Sequence, residues 1–243
     1  MLLQASQTNL APPMPDPISP PAPATAKARK LAQQDQKIAN AIGEAFTLLS
    51  AAAADTEILA LLTPRGYDAA ALTGALATLQ APAQAAYDAR QIAIGAAASA
   101  NSALAAAEKQ ERTDFADYRE IARATFPLPD DQDALGLKGI APADLEKFLT
   151  AAQASYGAGK KAPYTAKLTL RGYAPAAIDA ELAGLKGVAS FAKARDLAEG
   201  AAQRATTVRN TAAKALADWV SEFRTVAKRT LRTRPDLLAK LDI

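Results

Sequence analysis

Along most of the chain, apolar residues recur three and four positions apart, and runs that alternate with period two are missing. Leu72, Leu76 and Leu79 follow this spacing, and so do Ile178, Leu182 and Leu185. Further on, Trp219, Phe223 and Val226 repeat it, flanked by Leu216, Val220 and Ala227; Phe115, Tyr118, Ile121 and Ala122 do the same midway. Each set lies on one face of an α-helix. The pattern therefore predicts an all-α fold with these residues in its core.

The chain also repeats itself. Leu62-Thr63-Pro64-Arg65-Gly66-Tyr67 returns as Leu168-Thr169-Leu170-Arg171-Gly172-Tyr173, an offset of 106 residues. Ala89 to Ala97 returns as Ala194 to Ala202, and Tyr118 to Phe126 as Phe223 to Leu231, both at an offset of 105. One residue therefore separates the copies between Leu79 and Ala89. Chance likeness between alanine-rich helices does not account for the Arg-Gly-Tyr segments, which contain no alanine. The expectation is two tandem helical units, 27–140 and 141–243, related by a pseudo-two-fold and sharing one core in an elongated bundle.

Each unit reads alike. A first helix is expected from Lys27 to Ala54, and its counterpart from Pro142 to Tyr156. A short helix then ends at Gly66 or Gly172, where glycine can adopt the left-handed conformation that stops a helix. Asp68 suits an N-cap and Pro175 a first turn. Pro82 predicts a break or kink ahead of long helices from Ala83 to Phe126 and Gly187 to Leu231. Gly95 and Gly200 fall inside those helices and suggest close backbone approach. Gly157, Gly159, Lys160 and Lys161 read as a connector, since they lack the spacing of a phosphate loop.

Composition changes the picture in two ways. Alanine is roughly a quarter of the chain, which favours helix but buries little area per residue. Residues 1–26 depart from the rest, with seven of the fifteen prolines between Pro12 and Pro23. That stretch predicts an extended, polyproline-like arm. Leu2, Leu3, Leu10, Met14 and Ile18 are its apolar anchors, and the expectation is that they dock on another copy of the chain.

The chain contains no histidine and no cysteine. The commonest general base, the commonest soft-metal ligands and every Ser-His-Asp or Cys-His arrangement are therefore excluded. No catalytic residue, metal ligand or cofactor is assigned from the sequence. Asp114, Asp117 and Glu120 read as a solvated helix face, and Arg90 and Arg195 as snorkelling or paired across the bundle. Net charge is +3, but nine Lys/Arg against four Asp/Glu lie between Gln203 and Ile243. Arg224, Lys228, Arg229, Arg232 and Arg234 are the densest part, suited to a helix end or to a polyanion.

The function expected is a non-enzymatic structural or interaction protein that self-assembles through the arm or scaffolds partners. The first alternative is binding of nucleic acid or an anionic membrane surface through the basic residues. The second is a carrier or enzyme using a cavity between the small-residue helix middles. With no basic, apolar leader and no apolar run near eighteen residues, the compartment expected is the cytoplasm.

Overall fold

The computed structural model describes residues 26–243. The arm residues Leu2, Leu3, Leu10, Met14 and Ile18 lie outside them. Among the described residues there is no strand, and the expected all-α class holds. The helices are α1 (Ala26–Ala54), α2 (Thr56–Leu62), α3 (Ala69–Ala75), α4 (Ala81–Thr125), α5 (Pro129–Ala134), α6 (Leu145–Gly159), α7 (Tyr164–Thr169), α8 (Pro175–Thr230) and α9 (Pro235–Lys240). No single helix among the described residues is long and apolar enough to cross a membrane.

Local chemistry sets the boundaries. Asp55 caps α2 by accepting from the N–H groups of Glu57 and Ile58 at 3.0 and 3.1 Å. Asp68 caps α3 through the Ala71 N–H at 2.7 Å, and Asp144 caps α6 through that of Lys147 at 3.0 Å. Such a cap is worth about 1 kcal/mol because it satisfies a backbone donor the helix cannot. The two Arg-Gly-Tyr turns close in the same way. Gly66 and Gly172 take φ of +87° and +95°, and the N–H of the following tyrosine returns to the carbonyl of Leu62 at 3.3 Å or Leu168 at 3.0 Å. A β-carbon strains that left-handed conformation, so glycine holds the turn.

Pro82 acts differently from the expected break. From Ala69 the backbone stays helical to Thr125, but Leu76–Gln80 forms a π turn, where the Ala81 N–H reaches five residues back to Leu76. A π turn absorbs one extra residue in a helix. It lies beside the place where the sequence offset drops from 106 to 105. In the other half no interruption occurs, and the two helices expected there are one, α8, of 56 residues and about 84 Å at 1.5 Å per residue.

Helices α4 and α8 form the shaft of the molecule and run antiparallel. Arg90 bonds Thr206, Asn101 bonds Glu199, and Glu111 lies against Gly184, so positions rise on one helix as they fall on the other. Where one core was expected, the buried residues form two separate clusters. One buried cluster joins α1, α2 and α3 to the last part of α8 and to α9, with Leu49, Leu62, Leu72 and Phe223 fully enclosed. The second joins the last part of α4 and the following loop to α6, α7 and the start of α8, with Tyr118, Phe148, Tyr156 and Ile178 enclosed. Each core thus joins elements far apart in the chain.

Aromatic contacts do the same. Tyr67 meets Phe223 edge-on at 5.3 Å, and Tyr173 meets Tyr118 edge-on at 5.1 Å. Trp219 is only half-buried, stacked on Phe223 at 5.7 Å, so Phe223 rather than Trp219 anchors its end.

The glycine expectations fare unevenly. A β-carbon at Gly95 would meet nothing within 4 Å, so that site is not a close backbone contact; at Gly200 it would meet only the Arg204 guanidinium at 3.4 Å. Gly157 and Gly159 are helical residues of α6 rather than a connector. A β-carbon at Gly159 would stand 2.5 Å from the Tyr118 hydroxyl, which explains glycine there.

Candidate functional site

Three arrangements bring polar chemistry together. The first is a buried ion cluster where α1 meets the shaft. Asp35 accepts from Arg90 at 2.6 Å and from Arg209 at 2.5 Å. Arg90 Nε also donates to the Thr206 hydroxyl at 3.1 Å, and Arg209 donates twice to Asn210 Oδ1 at 3.1 and 2.7 Å. Only 2% of the Arg209 side chain is exposed. Burial on its own would raise the Asp35 carboxyl, but the hydrogen bonds from Arg90 and Arg209 outweigh it and hold the group below its ordinary value. Arg90 is therefore paired across the helices, as its position suggested. Arg195 pairs instead with its neighbour Asp196, at 2.7 Å on the surface.

The second is an acidic cluster at the other end. Carboxylate oxygens of Glu111, Asp114 and Glu181 lie within 4.8 Å of one another, all half-buried. Glu111 rests on Gly184, where any β-carbon would clash with its carboxylate, and its Oε2 is buried without a hydrogen-bond partner. Burial first, then Glu181 and Asp114, push the Glu111 carboxyl above its ordinary value; burial and Asp114 do the same to Glu181. The Tyr156 hydroxyl, raised by burial and so kept protonated, reaches Glu181 Oε2 at 3.5 Å, whereas Tyr118, pushed up to about 12 by burial, donates to the Ser155 carbonyl at 3.2 Å. Three hard oxygen donors are the chemistry of a proton or a hard divalent cation. Asp117 and Glu120 are exposed as expected, whereas Asp114 turns inward.

The third is an open groove of about 690 Å³ between α1 and the end of α8. Its floor is apolar, made by Ile38, Ala41, Ile42, Ala45, Leu216 and Val220. Its rim carries Lys37, Lys214, Arg224 and Lys228 against one acid, Glu44. Arg224 is 3.6 Å from Glu44, and its Nε is buried without a hydrogen-bond partner.

The basic residues singled out from sequence do not form one patch. Arg224 and Lys228, one turn apart, line the groove. Arg229 and Arg232 are exposed, and Arg234 is engaged with Glu57 and with Asp236, the latter at 2.7 Å. What sequence reasoning missed is Asp35, Arg209 and the Glu111–Glu181 approach. No protein-family model, curated protein or solved structure matches the chain.

Proposed function

We propose that this chain is a non-enzymatic interaction protein, a helical body that assembles with itself through its N-terminal arm and uses the groove between α1 and α8 as its docking surface. The observation that carries the reading is the groove itself. Ile42, Ala45, Leu216 and Val220 at its base are already buried, but half-buried Ile38 and exposed Ala41 and Ala217 leave apolar surface beside a cationic rim, which gains by being covered.

The body is read as two tandem copies about a pseudo-two-fold axis. Four correspondences support this: the equal turns at Gly66 and Gly172, the paired Tyr67–Phe223 and Tyr173–Tyr118 contacts, the π turn beside the one-residue offset, and α5 and α9, which start at Pro129 and Pro235, again 106 apart. A body of this kind gives a long rigid platform with two differently finished ends.

Light scattering after size-exclusion chromatography tests the reading on the full chain and on a chain beginning at Lys27. The full chain is expected to have the mass of two or more copies and the shortened chain that of one. Equal masses would remove the arm from assembly. Polyanion binding keeps Lys228, Arg229 and Arg232 as its exposed cations; binding to a short duplex that weakens steeply with salt would favour it.

A further inference from the structure

We propose that the α1–α8 groove is the receptor for residues Leu10 to Ile18 of a second copy of this chain. The proposal deepens the assembly reading and rests on it.

Complementarity of hydrogen-bonding groups is the first argument. Both walls of the groove are α-helices, whose backbone groups are already paired, so an occupant finds no partners there for its own N–H groups. Residues 11–18 read Ala-Pro-Pro-Met-Pro-Asp-Pro-Ile, and four of the eight are prolines without an N–H. Such a segment brings carbonyl acceptors and few donors. The groove offers the converse in the ammonium groups of Lys37 and Lys228, while Lys214 is paired with Asp218 at 2.6 Å.

Charge and apolar content agree. Asp16 is the single charged side chain among residues 1–25, and it stands between Met14 and Ile18. Docked with those two on the apolar floor, it faces a rim that carries four cations and one acid.

Chain direction selects the second copy over the same one. The groove starts at Gln34, about 12 Å along α1 from Ala26. To fill its own groove, the arm would have to turn back within residues 19–25, where Pro20, Pro21 and Pro23 resist a reversal. An arm arriving from another copy needs no such turn.

The absence of native cysteine makes the test direct. Full-length chains carrying Ile18→Cys and Ala217→Cys, separately tagged, are co-expressed and oxidised; Ala217 is an exposed groove residue, outside the cores. Docking raises the local thiol concentration, so disulfide-linked pairs of the two chains are expected at about tenfold the yield given by Ala116→Cys, exposed on α4. Asp16→Lys is expected to weaken assembly, and Lys228→Glu in the same chain to restore it. If the full chain is monomeric at every concentration, the assembly reading fails and this one with it. If the chain assembles but Ile18 and Ala217 do not cross-link above the control, assembly stands and the groove is not its receptor. A chain bearing both cysteines that closes only on itself, at monomer mass, overturns the second-copy assignment.

Discussion

At one end of the molecule Trp219 lies stacked on Phe223, with Leu216 a turn before it and Ala75 facing from α3. The positions 105 or 106 residues away in sequence are Asp114, Glu111 and Glu181, which lie together at the other end. The turns behind them are unchanged, and so is the tyrosine that packs on the opposite long helix. The comparison separates two roles. Left-handed glycines, Leu62 and Leu168 and the tyrosine contacts hold each end together; the layer beside them tolerates either an apolar filling or three carboxylates. The ion clusters are divided the same way, since Asp35 has two buried arginines at its end while the acidic cluster has no cation within it.

The largest test breaks the first end. Asp35→Ala leaves two guanidinium groups buried without their carboxylate and is expected to cost about 3–5 kcal/mol in urea unfolding. Replacing Arg90 and Arg209 by Met in the same chain should recover most of it, since an uncharged core of equal volume needs no partner. Without that recovery, the loss came from something other than stranded charge.

At the second end, Gly159→Ala forces a β-carbon onto the Tyr118 hydroxyl and is expected to destabilise by about 1–3 kcal/mol. An unchanged melting temperature would mean that Tyr118 moves aside freely.

The pH response sharpens the contrast, because the ends have opposite signs. Glu111 and Glu181 are raised, so each binds its proton more tightly in the folded protein. Their charged forms are a liability at neutral pH, relieved as pH falls through the raised folded values toward the ordinary carboxylate value. Asp35 is depressed, so its contribution is present above its ordinary value of 3.8 and lost as pH falls below that, through the folded value. Glu111→Gln should therefore be more stable than the parent at neutral pH, with the gap closing in mild acid. A gap independent of pH would remove repulsion as its cause.

The smallest effect concerns the shaft between the ends. Gly95 has open space about it, so Gly95→Ala is expected to stabilise by about 0.5–1 kcal/mol through helix propensity alone. A loss of stability in thermal melts would show that the shaft needs a bare backbone there.

These differences mark what could be read from sequence. The turns were legible because Gly66 and Gly172 are local devices, and the one-residue offset near Pro82 pointed to an irregularity whose π form needed the backbone. Asp35 and Arg209 were not legible as partners, being 174 residues apart on helices whose register no local pattern specifies. Glu111 and Glu181 are hidden for the same reason. Ile42, Leu216 and Val220 carry the spacing of core residues and are buried, whereas Ile38, on the same spacing, is left half-buried at the groove, a difference that periodicity does not tell. Gly157 and Gly159 misled because glycine beside lysine resembles a loop, whereas the bulk that excludes a side chain at Gly159 comes from Tyr118, on another helix.

The distance in sequence across the first core bears on how the protein is made. Helices α1 to α3 emerge from the ribosome long before Leu216 and Phe223, which complete their core. The interval from Ala75 to Leu216 is about 140 residues, or roughly ten to thirty seconds at ordinary rates of synthesis. Throughout it, Ile42, Leu49, Ile58 and Leu72 have no permanent cover. The core that begins first in the chain is therefore the last to close, and nascent chains on one message are exposed to trading these segments with one another.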